Sequence, residues 1–285
     1  MTTTYETTQR KKNEITLPNS FTVIGRRDPL SSTAQKIEAY SIMKIDTHSS
    51  SEFPTVTIDR NLLSRMGVDS SSMKREMENS YHELLDYKIQ VTLANGNKFW
   101  THLCSGVEEV IPGYKYKLSF HPELKPMFLK LKGDFAQISF DTVLGISSSN
   151  YTYDLYKHIA SAYSKEIYTL KKKGIMTEKA EFQVDIDLLK NILGCANKYK
   201  KTAEFKRRVL EPSVSAISLK TDLHVTYKPI KNGRSISGYH FVINKQEFTP
   251  FFNFGGDADD ILNEAPEEKE VQYEIPQSVL DKLKL

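Results

Sequence analysis

Apolar and polar positions along this chain fall into two series that run in the same order. Residues 58–66 (IDRNLLSRM) and 184–192 (VDIDLLKNI) share the pattern apolar-Asp-x-Asn/Asp-Leu-Leu-x-x-apolar at an offset of 126. Upstream of the second copy Leu155, Ile159, Ala162 and Tyr163 recur at i, i+4, i+7 and i+8, one face of a helix. Upstream of the first, Ser32 and Gln35 have capping-box spacing, and Ile37, Tyr40 and Met43 or Lys44 follow at helical steps. Each copy is preceded by a strand-like run, PTVTI (54–58) or EFQVDI (181–186), with Asp59 and Asp185 placed to cap the helix that follows. After each copy come Gly67 or Gly194, a polar turn and a further helix, predicted over 70–86 and 202–218. Pro212 cannot bond the Arg208 carbonyl, so the second of these helices is expected to kink or break there. Each then meets a hairpin pattern, 89–103 or 223–243, centred on Asn95-Gly96 or Asn232-Gly233, residues that tolerate positive φ in a tight turn. Residues 108–119 are expected to extend the first hairpin with additional strands.

Helix, strand, helix, turn, helix and hairpin make a winged helix. The pattern therefore predicts an α+β protein of two tandem winged-helix domains related by an internal pseudo-repeat. The expected division is an N-terminal arm over 1–30, domains over 31–135 and 136–250, and a tail over 251–285. In this fold the helix before the hairpin enters the DNA major groove and the wing touches backbone or minor groove. The same order also suits a duplicated domain that binds protein instead, since a fold does not fix a function.

Charge separates these readings. The net charge is only +3, but residues 255–285 carry nine acids and three lysines, leaving +9 on residues 1–254. A basic body favours a polyanionic partner. The cations concentrate before and inside the second reading helix: Lys198, Lys200, Lys201, Lys206, Arg207 and Arg208, against Glu204 alone. Thr202 is the expected N-cap, where free N–H groups favour a phosphate. Arg207 can offer a fork to guanine O6 and N7. The wing adds Lys228, Lys231, Asn232 and Arg234. Tyr199 can pack on a sugar or a thymine methyl, or serve the core. In the first half the candidate DNA contacts are Ser71, Ser72, Lys74 and Arg75, followed by Glu76 and Glu78; weaker DNA contact or a share in dimer contact is expected there.

The remaining chemistry is sparse. No apolar run reaches the ~18 residues of a membrane span, and residues 1–17 lack a signal core. Cys104 and Cys195 stand apart and fit a reducing cytosol. The seven histidines never fall at i and i+2, and no phosphate-binding GxxxxGK[ST] loop occurs. No catalytic residue, metal or cofactor is expected, and the setting is a cytoplasm.

Three strings carry a family resemblance: YDLYKHIASAYSK, VDIDLLKNILGCANKYKKTAEFKRRVLEP and VTYKPIKNGRSISGYHFVI, with LSFHPELKPMFLKLKGDFAQIS in the first half. Over roughly residues 15–245 the chain resembles the plasmid replication initiator (Rep) proteins with two winged-helix domains. The resemblance implies monomers binding directly repeated origin iterons in double-stranded DNA and helping to melt the origin. It implies homodimers, in equilibrium with monomers, repressing the protein's own gene, with the first domain as dimer interface. It implies recruitment of the host replication initiator and the replicative helicase, and base reading by Lys201 and Arg207. A transcriptional repressor with no initiator role would share every DNA-binding feature. The tail lies outside the resemblance. Residues 251–260 and 264–270 read as linker-like, and QSVLDKLKL (277–285) as a short amphipathic helix, with a faint likeness to a sliding-clamp-binding peptide.

Overall fold

The computed structural model describes residues 13–19, 21–22, 28–48, 50–92, 97–129, 131, 135–147, 149–250 and 254. In chain order the first part contains β1 (Glu14–Pro18), β2 (Phe21–Thr22), α1 (Ser32–Met43), β3 (Val56–Asp59), α2 (Arg60–Arg65), α3 (Met73–Leu85), β4 (Lys88–Thr92), β5 (Lys98–His102), β6 (Cys104–Ile111), β7 (Lys115–Phe120) and α4 (Lys125–Phe128). There follow β8 (Phe135–Ser139), α5 (Phe140–Ile146), α6 (Thr152–Lys172), β9 (Lys179–Asp185), α7 (Ile186–Ile192), α8 (Thr202–Phe205), α9 (Glu211–Lys220), β10 (Leu223–Asn232) and β11 (Ser235–Lys245). The fold is α+β, with two winged helices.

The repeated motif forms the same local structure twice. Asp59 Oδ1 accepts from Leu62 N–H at 2.8 Å, and Asp185 Oδ1 from Asp187 and Leu188 N–H at 2.8 and 3.1 Å. Gly67 and Gly194 follow their helices at φ of 75° and 64°, the left-handed geometry that ends a helix cheaply only at glycine. At Gly194 a side chain is also excluded, because a Cβ would lie 3.0 Å from the Asp28 and Pro29 backbone. The cap of α1 is Ser31, one residue earlier than expected. Its hydroxyl accepts from Ala34 N–H at 3.3 Å, while the buried Gln35 donates to the Leu30 and Asn150 carbonyls, both at 3.0 Å. Gln35 thus ties α1 to the turn before α6 and closes no capping box.

Sheet pairing relocates the first wing. In the second domain the order is β10-β11-β9, so the strand before the helix-turn-helix joins the far strand of the hairpin. Its counterpart in the first domain is β3-β7-β6. The first wing is therefore the hairpin β6–β7, turning at Gly113 (φ 63°). The β4–β5 hairpin instead forms a separate sheet with β2. Its Asn95-Gly96 tip lies outside the described residues. The physical reason is apolar matching. β3 offers Val56 and Ile58, which pair with Leu118 and Tyr116 of β7, and all four are buried. β5 (KFWTH) turns Trp100 to solvent at 61% exposure.

The wing of the second domain also turns differently from expectation. Asn232 pairs with Ser235, so the two-residue loop is Gly233-Arg234. Positive φ falls on Gly233 alone (61°), the pattern of a type II′ turn.

β1, expected in an arm, pairs antiparallel with β8, a strand that begins at the expected boundary of the second domain. α6 serves both halves. Tyr153, Leu155, Tyr156 and Ile159 are buried, and Lys157 reaches across to α1. Its Nζ lies 2.8 and 3.0 Å from the two Glu38 carboxylate oxygens, 3.1 Å from Asp154 Oδ1 and 3.1 Å from the Tyr87 hydroxyl. Glu38 is wholly buried. Such charges are tolerated inside only because each has its partner.

Of the kink or break expected at Pro212, no break occurs. Helical structure runs on from Thr202 to Lys220 through a π-helical turn at Lys206–Leu210. Glu211 N–H bonds the Lys206 carbonyl, five residues back. The wider turn accommodates a proline ring that would otherwise press on the Arg208 carbonyl.

Among the described residues no helix is long and apolar enough to cross a membrane. Phe254 lies in the stretch expected to be linker-like, yet it is buried against Phe140 and Tyr40; the other tail residues lie outside the described residues.

A cavity of about 230 Å³ opens beside α6, lined by Leu17, Asn19, Asp154, His158, Ser161 and Lys165 among others. Burial pushes the His158 imidazole down to about 4. The folded state thus keeps His158 neutral while the unfolded chain takes up a proton near pH 6.5, so stability falls as pH drops from about 6.5 towards 4. Thermal unfolding at pH 7 and 4.5 is expected to show wild type losing about 2 kcal/mol more than His158→Gln. Equal losses in the two proteins would assign the pH dependence to other groups.

Candidate nucleic-acid interface

The second helix-turn-helix is held from beneath by the buried Lys190 and the half-buried Tyr151 and Tyr199. The turn after α7 contains Tyr199 at φ 56°, a strained setting for a bulky residue. It is held there by its partners. The Tyr199 hydroxyl is 3.1 Å from that of Tyr151, the rings meet edge-on at 6.2 Å, and the nearly buried Lys190 donates to the Tyr199 carbonyl at 3.2 Å. Tyr199 therefore packs on Tyr151 of its own protein while staying half-exposed. Lys190 was not singled out in the sequence. Its only signal there is its place in the repeated motif, one residue after the buried Leu189.

Beyond Tyr199 the chain turns outward. The cap of α8 is Lys201, in extended geometry and without a side-chain cap bond, so Thr202 is the first helical residue and not the cap. Phe205, Val209, Leu210, Val214 and Ile217 are buried and fix which side of the helix faces the core. Lys200, Lys201, Ala203, Arg207 and Arg208 are exposed on the other side. Ala203, also missed in the sequence, is a small exposed side chain on that side.

The six cations divide by partner. Lys198 pairs with Asp28 at 2.5 Å, Lys206 with Glu211 at 3.2 Å, and Arg208 Nε with Glu204 at 3.1 Å. These are surface pairs, typically worth about 0–1 kcal/mol, and readily exchanged for a phosphate. Lys200, Lys201 and Arg207 have no acidic partner among the described residues. In the wing Lys228, Lys231, Asn232 and Arg234 are all exposed. A register shift between Ile230 and Lys231 bends the strand just before its tip, as bulges do where a side chain is re-aimed.

The first domain presents different chemistry. Ser71, Ser72, Lys74, Arg75 and Glu78 line one shallow concavity at the start of α3. Ser71 donates from its N–H (2.8 Å) and its hydroxyl to Asp69, and the Ser72 hydroxyl to the Asp69 carbonyl at 3.5 Å. These bonds hold the Asp69 carboxyl below the usual carboxylate range, so a fixed negative charge sits beside the serines. Lys74 lies 3.9 Å from Glu78, and Arg75 3.8 Å from Glu76. In the wing, Glu109 accepts from Gly113 N–H at 2.6 Å and the Tyr116 hydroxyl at 2.7 Å, which keeps it ionised. Ile111 and Tyr114 flank that turn and are exposed. One wing is cationic; the other is apolar over a carboxylate.

Both halves match models of one family. Residues 14–160 match the Initiator Replication protein, WH1, and residues 185–243 the Initiator Rep protein, WH2. The chain belongs to the initiator Rep protein family. It is a replication initiator, and the cationic helix lies inside its WH2 match. Among solved structures the initiator is similar to the Pi initiator protein in complex with iteron DNA, at 20% identity and TM-score 0.63, over 84% of this chain and 100% of that one. A likeness to domains 2 and 3 of RctB covers 84% of this chain and 94% of that chain at 13% identity and TM-score 0.40. Comparison with curated protein sequences gave no match.

Proposed function

We propose that the initiator binds directly repeated iterons at a plasmid origin as a monomer, chiefly through its second domain, and starts replication there without enzymatic chemistry of its own. The observation that carries this reading is the unpaired cationic face of Lys200, Lys201 and Arg207 beside a basic wing. The Pi structure, which holds iteron DNA, supports the choice of ligand. In this reading Arg207 and Lys201 read bases, Lys198, Lys200, Lys206 and Arg208 hold phosphates, Thr202 offers an N–H at the helix start, and Lys231, Asn232 and Arg234 follow the adjacent backbone. Tyr199 shapes the turn. The first domain, with its charges internally paired, makes a lesser DNA contact through Ser71, Ser72, Lys74 and Arg75. It also serves as the interface of a dimer that represses the initiator's own gene. The host initiator and replicative helicase complete the assembly in the bacterial cytoplasm.

The test is binding to a duplex carrying the repeats that flank the gene, against a scrambled duplex. Roughly 6–10 phosphate contacts predict a loss of affinity of about 10³–10⁵ between 50 and 200 mM salt, with the cognate preference retained at each concentration. A flat salt response, or equal affinity for both duplexes, would remove this reading.

A further inference from the structure

The chain leaving β11 ends its described course on the first domain, not the second. Gln246 is still fastened to the second domain. Its N–H donates to the Asp222 carbonyl at 2.9 Å, and its side-chain amide to the Ser218 and Thr221 carbonyls, both at 2.7 Å. Phe254 is fastened to α1 and α2 of the first and to α5, which leads into α6. Its ring meets Phe140 at 5.0 Å and Tyr40 at 6.2 Å, and the Arg65 guanidinium lies 4.4 Å above it. Its N–H donates to Asp141 Oδ1 at 2.6 Å and its carbonyl accepts from Arg65 at 2.7 Å. Helices α1, α2 and α5 thus grip one residue, and α2 is the first helix of the helix-turn-helix in its domain. The eight residue steps from Gln246 to Phe254 can span at most about 27 Å.

α6 already joins the two winged helices. The Lys198–Asp28 pair and the close approach of Gly194 to Asp28 and Pro29 join them as well, and the Phe254 contacts add a fastening on α2 that none of these reaches. We infer that Phe254 is a positioning residue for two-headed DNA recognition: by closing the exit of the second domain onto the helix-turn-helix of the first, it fixes the spacing of the DNA contacts that the initiator accepts. This rests on the reading that both winged helices meet DNA. The consequence is geometric, because each inserted base pair moves one contact by about 3.4 Å along the duplex and turns it by about 35° around it. A fastened pair of heads meets only one spacing, whereas a loosened pair follows the displaced contact.

The experiment uses the full chain and a duplex selected by the wild type from a randomised library, footprinted, then rebuilt with 1, 2 or 3 base pairs inserted between the two contacted halves. Wild type is expected to lose about 30-fold or more on insertion, whereas Phe254→Ala and Arg65→Ala lose less than about fivefold from a starting affinity lowered about three- to tenfold, as expected when preorganisation is lost. Phe254→Tyr, which keeps the ring, should follow wild type. Arg65→Ala leaves the ring in place, so the test survives even where Phe254→Ala unfolds, which a thermal melt would show. Spacing profiles in both alanine variants that match wild type would overturn the inference and leave the DNA-binding reading intact. A wild-type footprint confined to one winged helix would overturn the two-headed reading, and this role of Phe254 with it.

Discussion

Replacing Lys200, Lys201 and Arg207 together by alanine is expected to lower affinity for the repeat duplex by about 10³-fold, or about 4 kcal/mol. The size follows from what surrounds them. None has an acidic partner among the described residues, so each meets DNA without first breaking an ion pair. Each base contact, by Arg207 and by Lys201, is worth about 1–3 kcal/mol, and Lys200 on a phosphate adds a salt-dependent share. Fluorescence anisotropy with repeat and scrambled duplexes separates the roles. Arg207→Ala alone should narrow the preference for the repeat, while Lys200→Ala should weaken both duplexes alike. The contrasting variant is Arg208→Ala, whose side chain already lies 3.1 Å from Glu204; its effect should be smaller. Triple-variant binding within threefold of wild type would place DNA elsewhere on the molecule.

The second large effect concerns the fold. Lys157→Met is expected to destabilise the protein by about 3–5 kcal/mol, because it strands the Glu38 and Asp154 carboxylates in the interior. Glu38 has no exposure, so its carboxylate depends on the Lys157 ammonium for compensation. Adding Glu38→Gln and Asp154→Asn to Lys157→Met should recover much of the loss, since neutral groups are less costly to bury than stranded charges. Urea unfolding of the single and combined variants checks this. A loss below 1 kcal/mol in the single variant would mean that the cluster is solvated.

What could be read from the sequence was what repeats locally. Asp59 and Asp185 cap because an aspartate before an apolar helical run has few better uses. The cation series between Lys198 and Arg208 is visible because a surface helix displays its charges in order. The identity of the first wing was hidden, because choosing between two consecutive hairpins depends on which one β3 pairs with, a contact across some sixty residues. Asn95-Gly96 is a sound turn signal, but it marks a hairpin and not its neighbour in the sheet. The pairing of Lys198 with Asp28 was equally out of reach, since it joins residues 170 positions apart. The Tyr199 conformation and the burial of Phe254 likewise arise from distant partners, Tyr151 in one case and Tyr40, Phe140 and Arg65 in the other.

The wide turn between α8 and α9 resolves a conflict of phase. Counting back from the buried Ile217 in steps of about 3.6 residues reaches Ser213, then Leu210, then Lys206. An unbroken α-helix would thus drive an ammonium group towards the core and swing the Phe205 ring into water. One additional residue in the turn slips the register, so Phe205 goes in and Lys206 comes out. Relatives whose reading helix lacks that residue would need their cations one place along the sequence to show DNA the same face, and a gap-free alignment of such chains would compare the wrong side chains.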